Sequence, residues 1–300
     1  MPRYLMVDPA HYDVSYTINP WMDPAQWRQD PQRMHLHALH ASRALQGVLE
    51  AAGAEVERAD GWPGLPDMVF PANAAVVLDG RALLARFRHA ERRGEEEPFR
   101  LLFEQLAERG LLRDVAELPA GCFQEGAGDC IWDAGRQHFW AGYGPRSSRA
   151  AIAALERHFD REVVPLELVS DRCYHLDVGF CPLSGGEIFY LPDALTPQAR
   201  ATLRRRVDPA QLIEADEEDL RHFNVNAVCV ERTLIMSRTT PRRRADFEAR
   251  GYRVVEVDLA PYLLSGGGAY CMTLRLDRTH AASPSQADAH GMPSARTSTA

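Results

Sequence analysis

The residue best suited to covalent chemistry in this sequence is a cysteine that follows a run of glycines. Cys271 comes directly after Ser-Gly-Gly-Gly-Ala-Tyr at residues 265–270. Glycine adopts positive φ values and lets the backbone approach a ligand closely, so a thiol placed here can lie at the mouth of a pocket. Most single cysteines are packed core residues. The glycine run therefore marks Cys271 as a candidate nucleophile without excluding a structural role.

A histidine and three carboxylates supply candidates for a nucleophile–base–orienter set. His175 stands two residues before Asp177 in Tyr-His-Leu-Asp, and in the strand predicted here both side chains share one face. That suits an imidazole acid–base beside a carboxylate that contacts substrate. In Glu-Gly-Ala-Gly-Asp, Glu125 would orient the histidine and Asp129 would bind backbone or substrate groups. Each motif alone also fits a structural histidine or an acidic turn.

The same order of elements recurs five times along the chain. Polar motifs begin near residues 65, 123, 174, 223 and 265. Helices are predicted at 24–52, 96–109, 147–159, 197–206 and 242–250, each followed by a strand, at 54–58, 112–118, 162–169, 211–214 and 252–257. Units of this size cannot bury their own apolar faces, so five of them should pack around a common axis. The repeat then brings together Asn73, Glu125, His175, Asn226 and Cys271.

Composition excludes several classes of function. The 300 residues are 45% hydrophobic, enough for a substantial core, and the net charge of -8 disfavours nucleic-acid binding. No apolar run approaches the roughly 20 residues that cross a bilayer, and the N-terminal residues lack the apolar core of a signal peptide. Six cysteines without a Cys-x-x-Cys pair indicate a reducing compartment. We expect a soluble cytoplasmic protein with no membrane or nucleic-acid partner.

The repeat predicts one catalytic domain over residues 1–277. Residues 278–300 are rich in Ser, Ala, Thr, Pro and His, show no hydrophobic period, and are predicted to form a disordered tail. His35, His37 and His40 lie in the first predicted helix, but no carboxylate or cysteine completes a metal site at suitable spacing. No metal or cofactor is therefore predicted.

Together, the motifs resemble those of the amidinotransferase superfamily of guanidino-modifying enzymes. The stretches PDMVFPAN, EGAGD, HLD and GGGAYCMTLRL occur in the family's order between residue 4 and about residue 277. The resemblance implies an α/β fold, a five-bladed propeller of pseudo-symmetric ββαβ units known as a pentein. The chain looks most like bacterial arginine dihydrolase domains and dimethylarginine dimethylaminohydrolases, and its N-terminal HYDVSYTINPWMDP is similar to the dihydrolase branch. At Pro71 relatives tend to carry Thr, a difference expected to alter the loop that presents Asn73.

By that resemblance the catalytic set is Cys271 as nucleophile, His175 as acid–base and Glu125 as its partner. An ordinary thiol has a pKa of about 8.5, so a bound guanidinium cation and a protonated His175 would favour the thiolate. Attack on the guanidinium carbon gives a tetrahedral adduct, and His175 protonates the departing nitrogen. Water activated by His175 then hydrolyses the remaining S-alkylthiouronium intermediate.

The resemblance also implies which residues bind the substrate, expected to be arginine or a guanidino analogue. Asn73, Asp177 and Asn19 would hold the guanidinium group. Arg92, in Arg-Arg-Gly-Glu, and Arg146, in Gly-Pro-Arg-Ser, would bind the α-carboxylate. Oligomeric state is left open.

Two positions favour one reaction within the superfamily. Many relatives carry Asp at position 73, whereas Asn73 offers both an acceptor and a donor and can hold a guanidinium group and then a ureido oxygen. A carboxylate at Asp177 would pair with an unsubstituted nitrogen and leave less room for N-methyl groups. Both favour an arginine dihydrolase, which yields ornithine, ammonia and carbon dioxide. Dimethylarginine dimethylaminohydrolase, arginine deiminase, an amidinotransferase and a non-catalytic binding module remain as alternatives.

Overall fold

The computed structural model describes residues 1–280, whose strands form five separate three-stranded sheets. The strands are β1 Arg3–Val7, β2 Glu55–Ala59, β3 Ala75–Leu78, β4 Arg81–Leu84, β5 Asp114–Ala116, β6 Cys130–Asp133, β7 His138–Tyr143, β8 Val163–Glu167, β9 Phe180–Pro182, β10 Ile188–Tyr190, β11 Leu212–Glu214, β12 Val228–Val230, β13 Thr233–Met236, β14 Arg253–Glu256 and β15 Leu274–Arg275. In every sheet the middle strand pairs antiparallel with one neighbour and parallel with the other. The predicted α/β class and five repeated units are confirmed.

Helices make the crossover that each parallel strand pair requires. They are α1 Pro24–Trp27, α2 Pro31–Ala51, α3 Ala90–Arg93, α4 Glu96–Glu108, α5 Ile152–Phe159, α6 Leu176–Gly179, α7 Pro197–Arg206, α8 Glu217–Arg221, α9 Pro241–Ala249 and α10 Ala260–Leu263. The helices that connect the two parallel strands of each sheet are, in chain order, α2, α4, α5, α7 and α9. No helix in the described part of the chain is long and apolar enough to cross a membrane.

Two of the predicted helices are divided in the structure. The single helix predicted over 24–52 is instead α1 followed by α2, because Asp30 caps a new helix by accepting a hydrogen bond from the backbone N–H of Arg33. Pro31 occupies the first position of that helix, where a missing N–H has no cost. In the helix predicted over 147–159, the first turn, Arg149–Ala151, is a short 3-10 helix.

The first sheet joins the two ends of the described chain. β15 pairs antiparallel with β1, so that Tyr4 lies opposite Arg275, and β1 pairs in parallel with β2. Beyond β15, the backbone N–H of Asp79 donates to the Arg278 carbonyl at 2.7 Å, and His280 N–H donates to Asp79 Oδ1 at 2.8 Å. The predicted tail thus begins with ordered residues, and the rest of it lies outside the described residues.

One strand of each sheet is packed between neighbouring sheets, as β3 illustrates. All four of its residues are buried. Ala75 and Val77 pack in one apolar cluster with Phe103, whereas Val76 packs in another with Trp132. Because successive strand residues face opposite ways, each side of β3 contacts a different set of neighbours.

Candidate active site

The chemically active residues lie immediately before the first strand of each repeat. Asn73 precedes β3, Asp129 precedes β6, Asp177 precedes β9, Asn226 precedes β12 and Cys271 precedes β15, each by one to three residues. Since all five strands occupy the same place in their sheets, the preceding loops meet at one end of the molecule. The repeat thereby assembles the site from positions distant in sequence.

Five of the nine predicted site residues line one narrow cavity. They are Asn19, Asn73, Arg92, Arg146 and Cys271. The cavity measures about 10 Å³, room for about one water molecule. A guanidino compound of amino-acid size therefore requires lining side chains to move before it binds.

Part of the lining comes from the irregular segment between the first helical turn and α1. Asn19 Nδ2 donates to the carbonyl of Ser265 at 3.0 Å, and its Oδ1 accepts from the backbone N–H of Trp21 at 2.9 Å. Arg146 donates to the Ile18 carbonyl at 3.1 Å. This segment contains no strand or helix, so displacing it costs less than displacing a strand of one of the sheets.

Asn226 and Asp177 fix the buried thiol of Cys271. Asn226 Nδ2 donates to Cys271 Sγ at 3.1 Å, and Cys271 Sγ donates to Asp177 Oδ2 at 3.1 Å. Asn226 Oδ1 accepts from the backbone N–H groups of Gly268 and Cys271 at 3.1 and 3.2 Å. One amide side chain therefore fixes both the sulfur atom and the backbone that carries it.

The glycine run before Cys271 is required by close packing. A Cβ atom on Gly268 would lie 2.8 Å from Asn226 Oδ1, and one on Gly267 would overlap the ring of Phe70. Gly266 has φ of 81°, in the left-handed region that favours glycine. The glycines thus let the cysteine backbone approach Asn226 directly.

His175 and Glu125 form a buried pair that Arg146 completes. His175 Nε2 lies 2.7 Å from Glu125 Oε2, and Arg146 donates to the same oxygen at 2.9 Å. The backbone N–H of Arg88 donates to Glu125 Oε1 at 3.0 Å. His175 Nδ1 is buried and has no hydrogen-bond partner within residues 1–280. Glu125 therefore orients the imidazole and leaves one ring nitrogen for another group.

The prediction that His175 and Asp177 share one face of a strand is wrong. His175 has extended backbone, but Leu176–Gly179 forms a helical turn, and β9 begins only at Phe180. Two residues apart in a helical turn, side chains diverge. His175 therefore reaches Glu125 while Asp177 reaches Cys271.

Burial dominates the protonation states of the site. It would raise the pKa of Glu125, but the charge of Arg146 and the hydrogen bond from His175 hold that pKa below its usual range. Burial lowers the pKa of His175 to about 4 despite Glu125. It raises the pKa of Asp177 to about 7, and burial together with the Asp177 charge raises the pKa of Cys271 well above its ordinary value. The lowered pKa favours the neutral imidazole in the free protein, and the protonated His175 expected from the sequence stays a prediction for the substrate-bound site.

Arg92 connects Asn73 to a buried carboxylate. Its guanidinium donates to Asn73 Oδ1 at 2.8 Å and to both oxygens of Glu95 at 2.9 and 2.8 Å. Burial raises the pKa of Glu95 to about 7, although Arg92 opposes that rise. Asn73 Nδ2 points to the Glu125 carbonyl at 3.5 Å, a long contact that leaves this donor weakly used.

Two glycines of the Glu-Gly-Ala-Gly-Asp motif make room for Asn73. A Cβ atom on Gly128 would overlap Asn73 Nδ2, and one on Gly126 would overlap the Ala72 carbonyl. Asp129, at the end of the motif, does not line the cavity. Its oxygens accept from Ser147 Oγ at 2.6 Å and from the backbone N–H of Leu176 at 2.9 Å. Asp129 therefore connects the loop that carries Arg146 with the loop that carries His175.

Pro71 leaves the turn that presents Asn73 intact. It occupies the first position of the 3-10 helix Pro71–Asn73, where a missing N–H has no cost. The Asn73 N–H donates to the Phe70 carbonyl at 3.0 Å, and the Ala72 N–H donates to the Cys271 carbonyl at 3.3 Å. Neither bond uses a side chain at position 71.

Sequence reasoning gave no role to three residues at the site. Tyr174 and Asp67 line the cavity, and Asn226 binds the thiol. Arg146 stacks over the Tyr174 ring, 4.7 Å from its centroid. The sequence did indicate that Asn226 lies at the site, because it occupies the position in the fourth repeat that Asn73 and Cys271 occupy in theirs. No feature of the sequence indicated a role for Tyr174 or Asp67.

Five sheets that converge on a cysteine, a histidine–glutamate pair and buried arginines define a member of the superfamily that modifies guanidino groups. Residues 17–278 match the family model described as N,N dimethylarginine dimethylhydrolase, eukaryotic. The chain therefore belongs to this family.

Relatives from bacteria extend the match. ArgZ of Synechocystis, a bifunctional arginine dihydrolase/ornithine cyclodeaminase, is 40% identical over 280 residues, which are 91% of this chain and 37% of ArgZ. The N(G),N(G)-dimethylarginine dimethylaminohydrolase of Mycobacterium tuberculosis is 32% identical over 285 residues, 91% of this chain and 85% of that protein. The crystal structure of the ArgZ N-terminal domain bound to substrate, an arginine dihydrolase from cyanobacteria, has a TM-score of 0.86 and 37% identity, covering 94% of this chain and 100% of that one.

Proposed function

We propose that this chain is a cysteine-dependent hydrolase that converts arginine to ornithine, ammonia and carbon dioxide. The observation that carries the proposal is the carboxamide of Asn73, which lines the same cavity as the Cys271 thiol. The likeness to the arginine dihydrolase domain of ArgZ supports it. We further infer that the five sheets are the blades of an α/β propeller, and that residues 1–277 act as a single catalytic domain.

In this proposal Cys271 is the nucleophile, and the substrate cation helps to form its thiolate. In the free protein, burial and the neighbouring Asp177 charge oppose loss of the thiol proton. A guanidinium group bound against Asp177 offsets both effects, because its positive charge stabilises the carboxylate and the thiolate. The thiol proton passes to His175, whose charged form Glu125 and its 2.7 Å hydrogen bond would stabilise.

Attack forms a bond between Cys271 Sγ and the guanidinium carbon. His175 returns the proton to the departing nitrogen, so ammonia leaves and a thiouronium intermediate remains. His175 then deprotonates a water molecule, which attacks the same carbon. The bond to Cys271 Sγ breaks, and the substrate now carries a ureido group. A second attack at the ureido carbon and a second hydrolysis release another ammonia, carbon dioxide and ornithine. Two waters are consumed for each arginine.

Asn73 is proposed to keep the ureido intermediate in place. Its weakly used Nδ2 donor can bind the ureido oxygen, a contact that an aspartate could not make. Arg92 and Arg146, both lining the cavity, are proposed to bind the α-carboxylate, with Asn19 and Asp177 on the guanidinium group.

Hydrolysis of N-methylated arginine is the second candidate. The family model and the relative from Mycobacterium tuberculosis favour it. Against it, Asp177 is aimed at the Cys271 sulfur and would pair with an unsubstituted nitrogen.

Amino-acid analysis over time tests the proposal. Purified protein given arginine should yield ornithine with two equivalents of ammonia and little free citrulline. Citrulline as sole product would indicate a deiminase. Faster release of dimethylamine from dimethylarginine would establish the second candidate, and amidino transfer to an added amine would indicate a transferase.

A further inference from the structure

A second and larger cavity, of about 300 Å³, shares no lining residue with the candidate active site. Its wall includes residues of β3, β6, β9, β12 and β15, one strand from every sheet. The candidate site residues precede these same strands. The two cavities therefore lie at different levels along the five strands, and all five sheets enclose the larger one.

The lining of this cavity combines apolar strand residues with two arginines and two carboxylates, those of Asp277 and Glu231. Buried lining residues include Val76, Phe180 and Leu274. Arg275 is paired with Asp277, with Nε 3.0 Å from the carboxylate. Arg278 donates to the Trp132 carbonyl at 3.5 Å and forms no ion pair with a carboxylate of residues 1–280.

The charge of Arg278 extends into the cavity. Burial raises the pKa values of four lining residues, Tyr4, Tyr270, Cys181 and Cys229, and in each case Arg278 opposes the rise. A positive charge that stabilises the ionised forms of these groups also stabilises an anion placed between them. Tyr270 is partly exposed although it lies in the interior, consistent with its place in the cavity wall.

We propose that this cavity is a binding site for a small organic carboxylate with an apolar or aromatic body. The carboxylate would pair with Arg278, which of the two lining arginines is the one without a carboxylate partner in residues 1–280, and the body would pack between the five strands. A concave pocket that combines apolar strand residues with a few charged groups has the form of a small-molecule site. The volume matches the lower end of the range for such sites, about 300–1,000 Å³.

Calorimetric titration of the full chain with 2-naphthoate tests this proposal, with the uncharged 2-naphthamide as matched probe. We expect one naphthoate per chain and at least tenfold weaker binding of the amide. Arg278→Gln should weaken naphthoate binding at least tenfold, whereas Arg278→Lys should keep it within about threefold, because only the lysine retains the charge.

A second pair of variants tests the location. Cys229 is partly exposed and lines the cavity, so Cys229→Phe should fill it and abolish binding, while Cys229→Ser leaves it open. Equal affinity for both probes, no binding, or naphthoate binding unchanged in a folded Cys229→Phe would overturn the proposal. Binding lost in Arg146→Gln but kept in Arg278→Gln would place the anion in the first cavity and also overturn it. If Cys229→Phe does not fold, the comparison of Arg278→Gln with Arg278→Lys tests the proposal by itself.

Discussion

The sulfur of Cys271 donates a hydrogen bond to Asp177 Oδ2 at 3.1 Å, while Oδ1 of that buried carboxyl has no hydrogen-bond partner in residues 1–280. A thiolate beside a carboxylate places two negative charges together, which explains part of the raised pKa of Cys271. A cation that binds Oδ1 removes that penalty. In the proposed mechanism, the pair keeps the thiol protonated until a positively charged group is bound next to it.

Asp177 makes folding stability depend on pH. Its pKa rises from 3.8 to about 7 on folding, chiefly by burial. A carboxyl with a raised folded pKa stabilises the fold below its unfolded pKa, and this contribution is lost as pH rises through the folded pKa. We expect up to about 4 kcal/mol to be lost between pH 4 and 7, at about 1.4 kcal/mol per unit.

Urea unfolding of wild type and Asp177→Asn between pH 4 and 8 measures this effect. In the variant, the side chain at position 177 has the same size but does not titrate. The free energy of unfolding of wild type minus that of the variant should fall as pH rises, while other groups, including His175 and Glu95, titrate in both proteins. A difference independent of pH would contradict the raised pKa.

Asn226 is expected to act as a positioning residue for the thiol. Asn226→Asp keeps the acceptor for the backbone N–H groups but replaces the donor to Cys271 Sγ with a carboxylate oxygen. Loss of one buried hydrogen bond, about 1–3 kcal/mol, should lower kcat about ten- to a hundredfold. The pH profile of Cys271 alkylation by iodoacetamide should also shift upward. An unchanged profile would reduce Asn226 to a structural role.

Gly128 is predicted to be essential for activity because of the space it leaves. In Gly128→Ala the new methyl group overlaps Asn73 Nδ2, so the amide must move. Activity on arginine should fall about tenfold or more, since misplacing a binding group by about 1 Å can cost a hundredfold. In the matched control, Gly47→Ala in α2, a Cβ meets nothing within 4 Å. That variant should keep full activity and gain about 0.5–1 kcal/mol of stability.

The repeat in the sequence predicted the convergence of site residues, because equivalent positions in five units must meet. It did not predict local geometry. His175 and Asp177 were expected to lie in a strand, but the chain turns at Leu176. The Arg-Arg-Gly-Glu match gave Arg92 a substrate-binding role, which stays a prediction, but it did not predict that Glu95 binds two nitrogens of that guanidinium. Burial of a carboxylate depends on packing between repeats, which sequence spacing does not reveal.

Cys271→Ser should lower turnover by at least about a thousandfold without loss of the fold, because a serine hydroxyl ionises far less readily than a thiol. Intact-mass analysis of wild type quenched during turnover should detect a covalent adduct on the peptide that contains Cys271. Cys181→Ser is the matched control, since Cys181 is buried but lies outside the first cavity. An adduct on Cys173 or Cys181, or an active Cys271→Ser, would refute the assignment.

Asn73→Asp should separate the two proposed cleavages. An aspartate still accepts from Arg92 and can face a guanidinium cation, so the first cleavage should continue. It has no donor for a ureido oxygen and places a second acceptor against it. That mismatch costs about 1–3 kcal/mol, or about ten- to a hundredfold in the second cleavage. The variant should therefore release citrulline where wild type yields ornithine, as amino-acid analysis over time would measure. Ornithine formed by the variant at the wild-type rate would show that Asn73 does not hold the ureido intermediate.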